Sequence, residues 1–317
     1  MKKADKKSSS VKKGSKGIGL LLIAAFIVVL GLIVARGRSG SADPGSRSRA
    51  EKDTGDVSGT SSEEEKKVKI IFQGNRIASS HSSGIHIEGN RVWIMEAGTY
   101  VLRGRLDDGQ IIVDAGKEDE IVLKLNNLSA HCETSSPLWI RKAGKVKIRL
   151  KDDSENSFSD GTYYQQEDDD EKHPKACIDA RCDLNIKGEK GSLTVDAAYR
   201  DGIYSSDDLK IKSGNIKVRA ERDALRSKDS VRIEDGDLDL TGSRDGIHTD
   251  GFLRLEGGRI RIDSARYGLY AFEEILAKSP ASLAVKGSLS RTGCKGKIHI
   301  DQEVWQAGET GENNNGK

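Results

Sequence analysis

The sequence predicts an all-β parallel β-helix with 22-residue turns, preceded by one N-terminal transmembrane helix. Three observations carry this expectation. Asp201, Asp223 and Asp245 open successive 22-residue copies, which read DGIYSSDDLKIKSGNIKV, DALRSKDSVRIEDGDLDL and DGIHTDGFLRLEGGRIRI. Within each copy the apolar residues come in pairs two apart, which places both on one face of a strand. Far upstream, residues 17–35 form a run of 19 uncharged residues dominated by Leu, Ile, Val and Ala.

Residues 1–16 hold seven lysines against Asp5. The positive-inside bias puts this basic tail in the cytoplasm. At about 1.5 Å per residue, the apolar run just spans a hydrocarbon core. A cleaved signal peptide is the competing reading, but the run is longer than a usual signal core, and only residues 33–35 resemble a small-residue cleavage site. The expectation is therefore a single-pass anchor at 17–35 with the β-helix outside the cell. Residues 36–67 are rich in Gly, Ser and charge and read as a disordered linker. The β-helix domain is assigned to 68–305, with a polar tail at 306–317. Net charge is +2; the first 16 residues supply +6, leaving −4 for the rest. That balance does not suit a nucleic-acid binder. Charged residues at 32% with aromatics at 5% suit a thin solenoid with a large solvated surface.

The copies align column by column. Ile203, Leu225, Ile247 and Leu269 share one column; Leu209, Val231, Leu253 and Ile275 share a second; Ile211, Ile233 and Leu255 a third. Ile216, Leu238 and Ile260 follow, then Val218, Leu240 and Ile262, with Gly214, Gly236 and Gly258 in phase at a turn. Each copy is thus about three short strands joined by tight turns. One copy cannot bury its apolar face alone, so copies must stack. Leucine-rich repeats have similar lengths but need an Asn or Cys after the strand and a helical half, and neither is present. A looser copy around Ile178, Leu184, Ile186, Leu193 and Val195 is read as shifted in phase by three extra residues in Gly188-Glu189-Lys190-Gly191. The strand pattern continues back through Leu138, Ile111, Tyr100 and Ile85. Four cysteines without a CxxC pair, and six scattered histidines, argue against zinc. Outside the cell a disulfide remains open, with no pairing legible.

Polar columns carry the functional expectations. Stacked turns bring equivalent residues to about 4.8 Å. Two calcium–oxygen bonds of about 2.3 to 2.6 Å span that gap. Asp201, Asp223 and Asp245, with Asp207, Asp208, Asp229 and Asp250 close by in phase, are therefore candidate calcium ligands. The competing reading makes these aspartates turn formers that bond their own backbone. Arg200, Arg222, Arg244 and Arg266 form a second 22-residue column. They need anions, either the Asp column or the carboxylates of an acidic polysaccharide. Tyr204, Arg226, His248 and Tyr270 form a third column, read as an exposed row suited to sugar rings. The acid run Glu167 to Glu171 reads as a solvated loop.

At these residues the chain resembles the bacterial carbohydrate-binding domain-containing proteins. EAGTYVLRGRLDDGQIIVDAG from Glu96, DGIYSSDDLKI from Asp201 and DGIHTDGFLRLEGGRI from Asp245 carry the resemblance, over roughly residues 94–276. It implies a right-handed parallel β-helix, calcium between turns, surface exposure and affinity for acidic polysaccharide such as polygalacturonate. An Arg stands before each Asp here, where that family usually has a small or amide residue, and a fixed positive charge there weakens a calcium site. Three functions stand: membrane-tethered, non-catalytic binding of acidic polysaccharide; a surface scaffold or adhesin without a sugar ligand; and a calcium-dependent polysaccharide lyase. The even repetition of acids and arginines speaks against the lyase, because a catalytic site is usually one irregular constellation.

Overall fold

The computed structural model describes residues 67–165, 173–278, 281–287 and 289–305. The expected anchor at 17–35, the linker up to 66 and the acid run at 167–171 lie outside the described residues. Among the described residues, no helix is long and apolar enough to cross a membrane.

Each 22-residue copy folds as three strands, represented by Asp201–Ser205, Asp208–Ile211 and Asn215–Ala220. Successive copies pair in parallel, strand on equivalent strand, to give a β-solenoid of about nine turns. The solenoid has three faces, named here first, second and third in the order of those strands. The predicted columns are the hydrogen-bonded register. Ile203 pairs with Leu225, Leu225 with Ile247 and Ile247 with Leu269. Leu209, Val231, Leu253 and Ile275 stack on the second face, and Ile216, Leu238 and Ile260 on the third. All of these point inward and are essentially inaccessible to solvent.

The looser copy pairs as expected through Ile178, Leu184 and Val195, but its extra residues are distributed differently. Ile186 to Leu193 is two residues longer than Ile211 to Ile216, and Val195 to Ile203 is one longer than Val218 to Leu225. Two of the three extra residues therefore sit in the Gly188–Gly191 turn and the third before Asp201. The periodic pattern did not foretell the N-terminal end. There Lys67–Gln73 pairs antiparallel with Arg76–Ser79, and Ile85–Glu88 with Arg91–Ile94. Both hairpins cover the open edge of the first turn, which would otherwise template pairing with another chain. At the other end, Val304 is fully buried and Trp305 bridges to Leu283, closing the core. The four cysteines are free, three of them buried.

Two glycine columns shape the turns. Gly214, Gly236 and Gly258 have φ of 130°, 126° and 84°, a region that side chains rarely adopt. Gly202, Ala224, Gly246 and Gly268 share a position against the third face. A Cβ at Gly202 would lie 2.3 Å from Val218, at Gly246 2.1 Å from Ile262, and at Gly268 2.0 Å from Val285. The single alanine, Ala224, falls by register opposite Leu240, the one residue of that facing column not branched at Cβ. Among these four copies the alanine thus falls where the facing residue is not branched at Cβ. Gly246→Ala should cost about 1–3 kcal/mol of stability through overpacking. Adding Ile262→Leu should recover part of that loss in thermal melts, whereas a further loss would refute the pairing.

Candidate functional site

Asp201, Asp223 and Asp245 stand at the corner where each copy enters the first face, and their side chains are 2%, 0% and 0% exposed. A carboxylate so deeply buried needs partners. Each finds them in the following turn. The backbone N–H of Asp223 donates to the Asp201 carboxylate at 3.3 Å, that of Asp245 to Asp223 at 3.2 Å, and that of Tyr267 to Asp245 at 3.2 Å. The arginine just before each of those residues supplies the counter-charge. Arg244 forks onto both oxygens of Asp223, with its Nε at 2.7 Å, and Arg266 does the same to Asp245, with its Nε at 2.8 Å. Arg222 lies 3.8 Å from Asp201, a looser version of the same contact. One turn's Arg and the residue after it therefore clasp the Asp of the turn before.

Further groups complete the network. Arg226 donates to Asp223 at 3.0 Å. The two ring nitrogens of His248 lie 2.8 Å from Asp245 and 3.3 Å from Asp250. Arg200 begins the Arg column, but Ala176 holds the Asp position one turn before it. Its Nε is buried without a hydrogen-bond partner among the described residues. The unequal partners split the carboxyls. Burial, and next the charge of Asp223, push Asp201 up to about 6. Burial would push Asp245 up as well, but the hydrogen bonds from Arg266 and His248 outweigh it and hold that carboxyl well below the usual range.

Periodicity did not flag two more buried acids. Asp179 is fully buried, accepts from the Lys175 N–H at 2.6 Å and lies 2.9 Å from Arg181 Nε, an ion pair whose N–H is not aligned for a hydrogen bond. Asp160 accepts from Tyr164 at 2.5 Å and from the Ala198 N–H at 2.6 Å. Burial pushes both up to about 6. Their copies deviate from the 22-residue spacing, so no column marked them.

The row expected to be exposed is largely buried. Tyr204 is 2% and His248 8% exposed, and Asp179 occupies the same row one turn earlier. Cover comes from neighbouring arginines and from the segment 173–175: Arg181 lies over the Tyr204 ring at 5.4 Å and donates to the His173 carbonyl at 2.6 Å. The row is more open at its last turn, where Tyr270 stacks on His248 with ring centres 4.5 Å apart and Arg266 lies over both Tyr267 and Tyr270.

Calcium between turns can be tested against these groups. Asp223, Asp245 and His248 each offer a ligand atom, all within 4.8 Å of one another. Those carboxylates, however, already hold Arg244, Arg226 and Arg266. A divalent ion there would face three guanidinium groups, so this column does not fit calcium. The turn acids are different. Asp208, Asp229 and Asp250 are exposed and Asp207 half-buried. Burial, and then the like charges of Asp229, Asp183 and Asp208, push Asp207 up. A cation beside Asp207, Asp208 and Asp229 would relieve that repulsion, whereas Asp250 already lies 3.3 Å from His248 and 3.8 Å from Arg226.

Fold and columns together define a β-solenoid whose surface repeats the same chemistry from turn to turn. The chain belongs to the carbohydrate-binding domain-containing protein family, which it matches over residues 88–309. It is similar to a carbohydrate-binding domain-containing protein of Acetivibrio thermocellus, with 38% identity over 200 residues, 63% of this chain. The match spans 65% of that relative's length. It is also similar to a solved structure described as a polysaccharide lyase-like protein from C. thermocellum, gadolinium derivative. That likeness has a TM-score of 0.73 and 34% identity and covers 75% of this chain and 98% of the other.

Two measurements probe the clasp. Arg244→Ala leaves Asp223 buried with only Arg226 as counter-charge and should cost about 3–5 kcal/mol, the range for breaking a buried pair. Asp223→Asn in the same chain should recover much of that in thermal melts; equal loss in the single and double variants would show that Arg244 packs but does not pair. The second concerns pH. Asp201 is raised in the folded state, so its contribution is fully present below about pH 4 and lost as pH rises through about 6. Urea unfolding should show Asp201→Asn gaining on the native chain from pH 4 to pH 7, by on the order of 2 kcal/mol. A difference that does not change with pH would contradict this assignment.

Proposed function

We propose that this protein is a membrane-tethered, non-catalytic binder of acidic polysaccharide, displayed outside the cell on the anchor at 17–35. One observation carries the reading. Parallel stacking repeats each surface group at about one strand spacing for turn after turn, as a polymer repeats its sugars, in a chain whose family is carbohydrate-binding. The lysine-rich tail before an apolar run of full length supports the tether. In this reading calcium belongs to the turn acids Asp207, Asp208, Asp229 and Asp250, and Asp201, Asp223 and Asp245 serve the clasp.

A lyase is the second reading, and the description of the structural relative as polysaccharide lyase-like is what favours it. The paired Arg and Asp groups recur with the same geometry at consecutive turns and so single out no reacting centre. Both readings meet one assay. Intact cells carrying the full chain should retain labelled polygalacturonate, and protease added outside should abolish retention. No absorbance from unsaturated product should develop. Absorbance growing with time would establish the lyase, and retention that survives protease would refute the topology.

A further inference from the structure

The second face carries a column that the clasp does not use. Lys147, Asn185, Lys210, Arg232 and Arg254 stand side by side on five successive strands, projecting outward between inward residues such as Leu209 and Ile211. The column is cationic at four of five positions, and Asn185 is the exception. At about 4.8 Å per strand it extends roughly 19 Å along the solenoid. It lies in a groove of about 600 Å³, in which Asp208, Ser230 and Phe252 form the parallel rail.

The third face offers a contrast within the same repeat. There Lys217, Asp239 and Arg261 alternate in sign along one column, and Arg261 also pairs with Asp237 at 2.8 Å. On the second face Lys210, Arg232 and Arg254 repeat the same sign. Acids to the side offset part of this: Glu234 lies 2.5 Å from Lys210, Glu256 2.8 Å from Arg232 and Glu120 2.6 Å from Lys147. Arg254 has no carboxylate partner among the described residues; its guanidinium lies 6.0 Å from the Phe252 ring, which is 40% exposed. A like-signed column is unfavourable by itself and gains from a ligand that brings a negative charge at every repeat.

We infer that this groove is the seat of an acidic polysaccharide chain lying parallel to the solenoid axis. Carboxylates of a uronic-acid polymer meet Lys147, Lys210, Arg232 and Arg254 in succession. Ring hydroxyls meet Asn185, Asp208 and Ser230, and the apolar face of one sugar rests on Phe252. This inference rests on the carbohydrate-binding reading above and adds to it a location, an orientation and a requirement for charge.

The test uses the full chain and oligogalacturonates of increasing length, with a neutral cello-oligosaccharide and single-stranded DNA as comparison probes. The variant Lys147→Gln with Lys210→Gln and Arg254→Gln removes three partly exposed charges and no core contact. Its melting temperature should stay close to that of the native chain, because the pairs lost with Glu120 and Glu234 are partly exposed and individually weak. The native chain should gain affinity with length up to about five sugars, the number of strands in the column at one sugar per strand spacing. The triple variant should bind at least about tenfold more weakly, whereas Lys217→Gln on the third face should bind normally. A triple variant within twofold of the native chain overturns this location and leaves the carbohydrate-binding reading standing. A native chain that binds neither glycan overturns both. DNA binding as tight as oligogalacturonate binding makes the groove a general polyanion site and overturns the assignment to sugar.

Discussion

A buried carboxylate on each turn, held by the arginine and backbone N–H of the next, is the contact on which the repeated half of this molecule depends. Apolar columns alone would leave the register between turns free to slide, since Ile, Leu and Val are interchangeable along the stack. The Arg–Asp clasp removes that freedom, because a slip would leave a fully buried charge unpaired. Its net contribution to stability is small beside that of the apolar core, and its effect is on specificity of stacking. Proton affinity follows from the same contact. Asp245, with a close guanidinium and a histidine, is held well below the usual carboxylate range, whereas burial and the charge of Asp223 push Asp201 up to about 6.

In the proposed reading the clasp also decides which surface meets a ligand. It neutralises the first face from within, using guanidinium groups that would otherwise reach outward, and it fills the position between turns where a divalent ion would sit. On the second face Lys210, Arg232 and Arg254 stand in one column of like sign, with acids offsetting part of their charge from the side. In the proposed reading one repeat separates two tasks: a self-satisfied charge ladder for assembly and a partly satisfied one for recognition.

Much of the fold was legible because parallel stacking converts sequence period directly into spatial contact. Ile203, Leu225, Ile247 and Leu269 were one column in the sequence and are one hydrogen-bonded row in space. Contacts that break the period were not legible. The antiparallel hairpins before Ile94 belong to a single turn and have no copies. Asp179 and its partner Arg181 sit 25 residues ahead of the equivalent positions in the next turn. For the site, the spacing located the Arg and Asp columns but not the direction in which each side chain turns, so Tyr204 and His248 were expected in solvent and lie under cover. Lys210, Arg232 and Arg254 are also 22 residues apart, a signal present in the sequence but masked by the stronger apolar columns beside it.

The central claim is that guanidinium groups occupy the position between stacked aspartates in place of a metal. An anomalous difference map from crystals of this protein soaked in a lanthanide tests it most directly, since such an ion seeks the oxygen-rich sites that calcium would take. The account predicts no peak between Asp223 and Asp245, and places any bound ion at the turn acids around Asp207 and Asp229. A strong peak within bonding distance of both the Asp223 and Asp245 carboxylates, with Arg244 and Arg266 swung away, would contradict it.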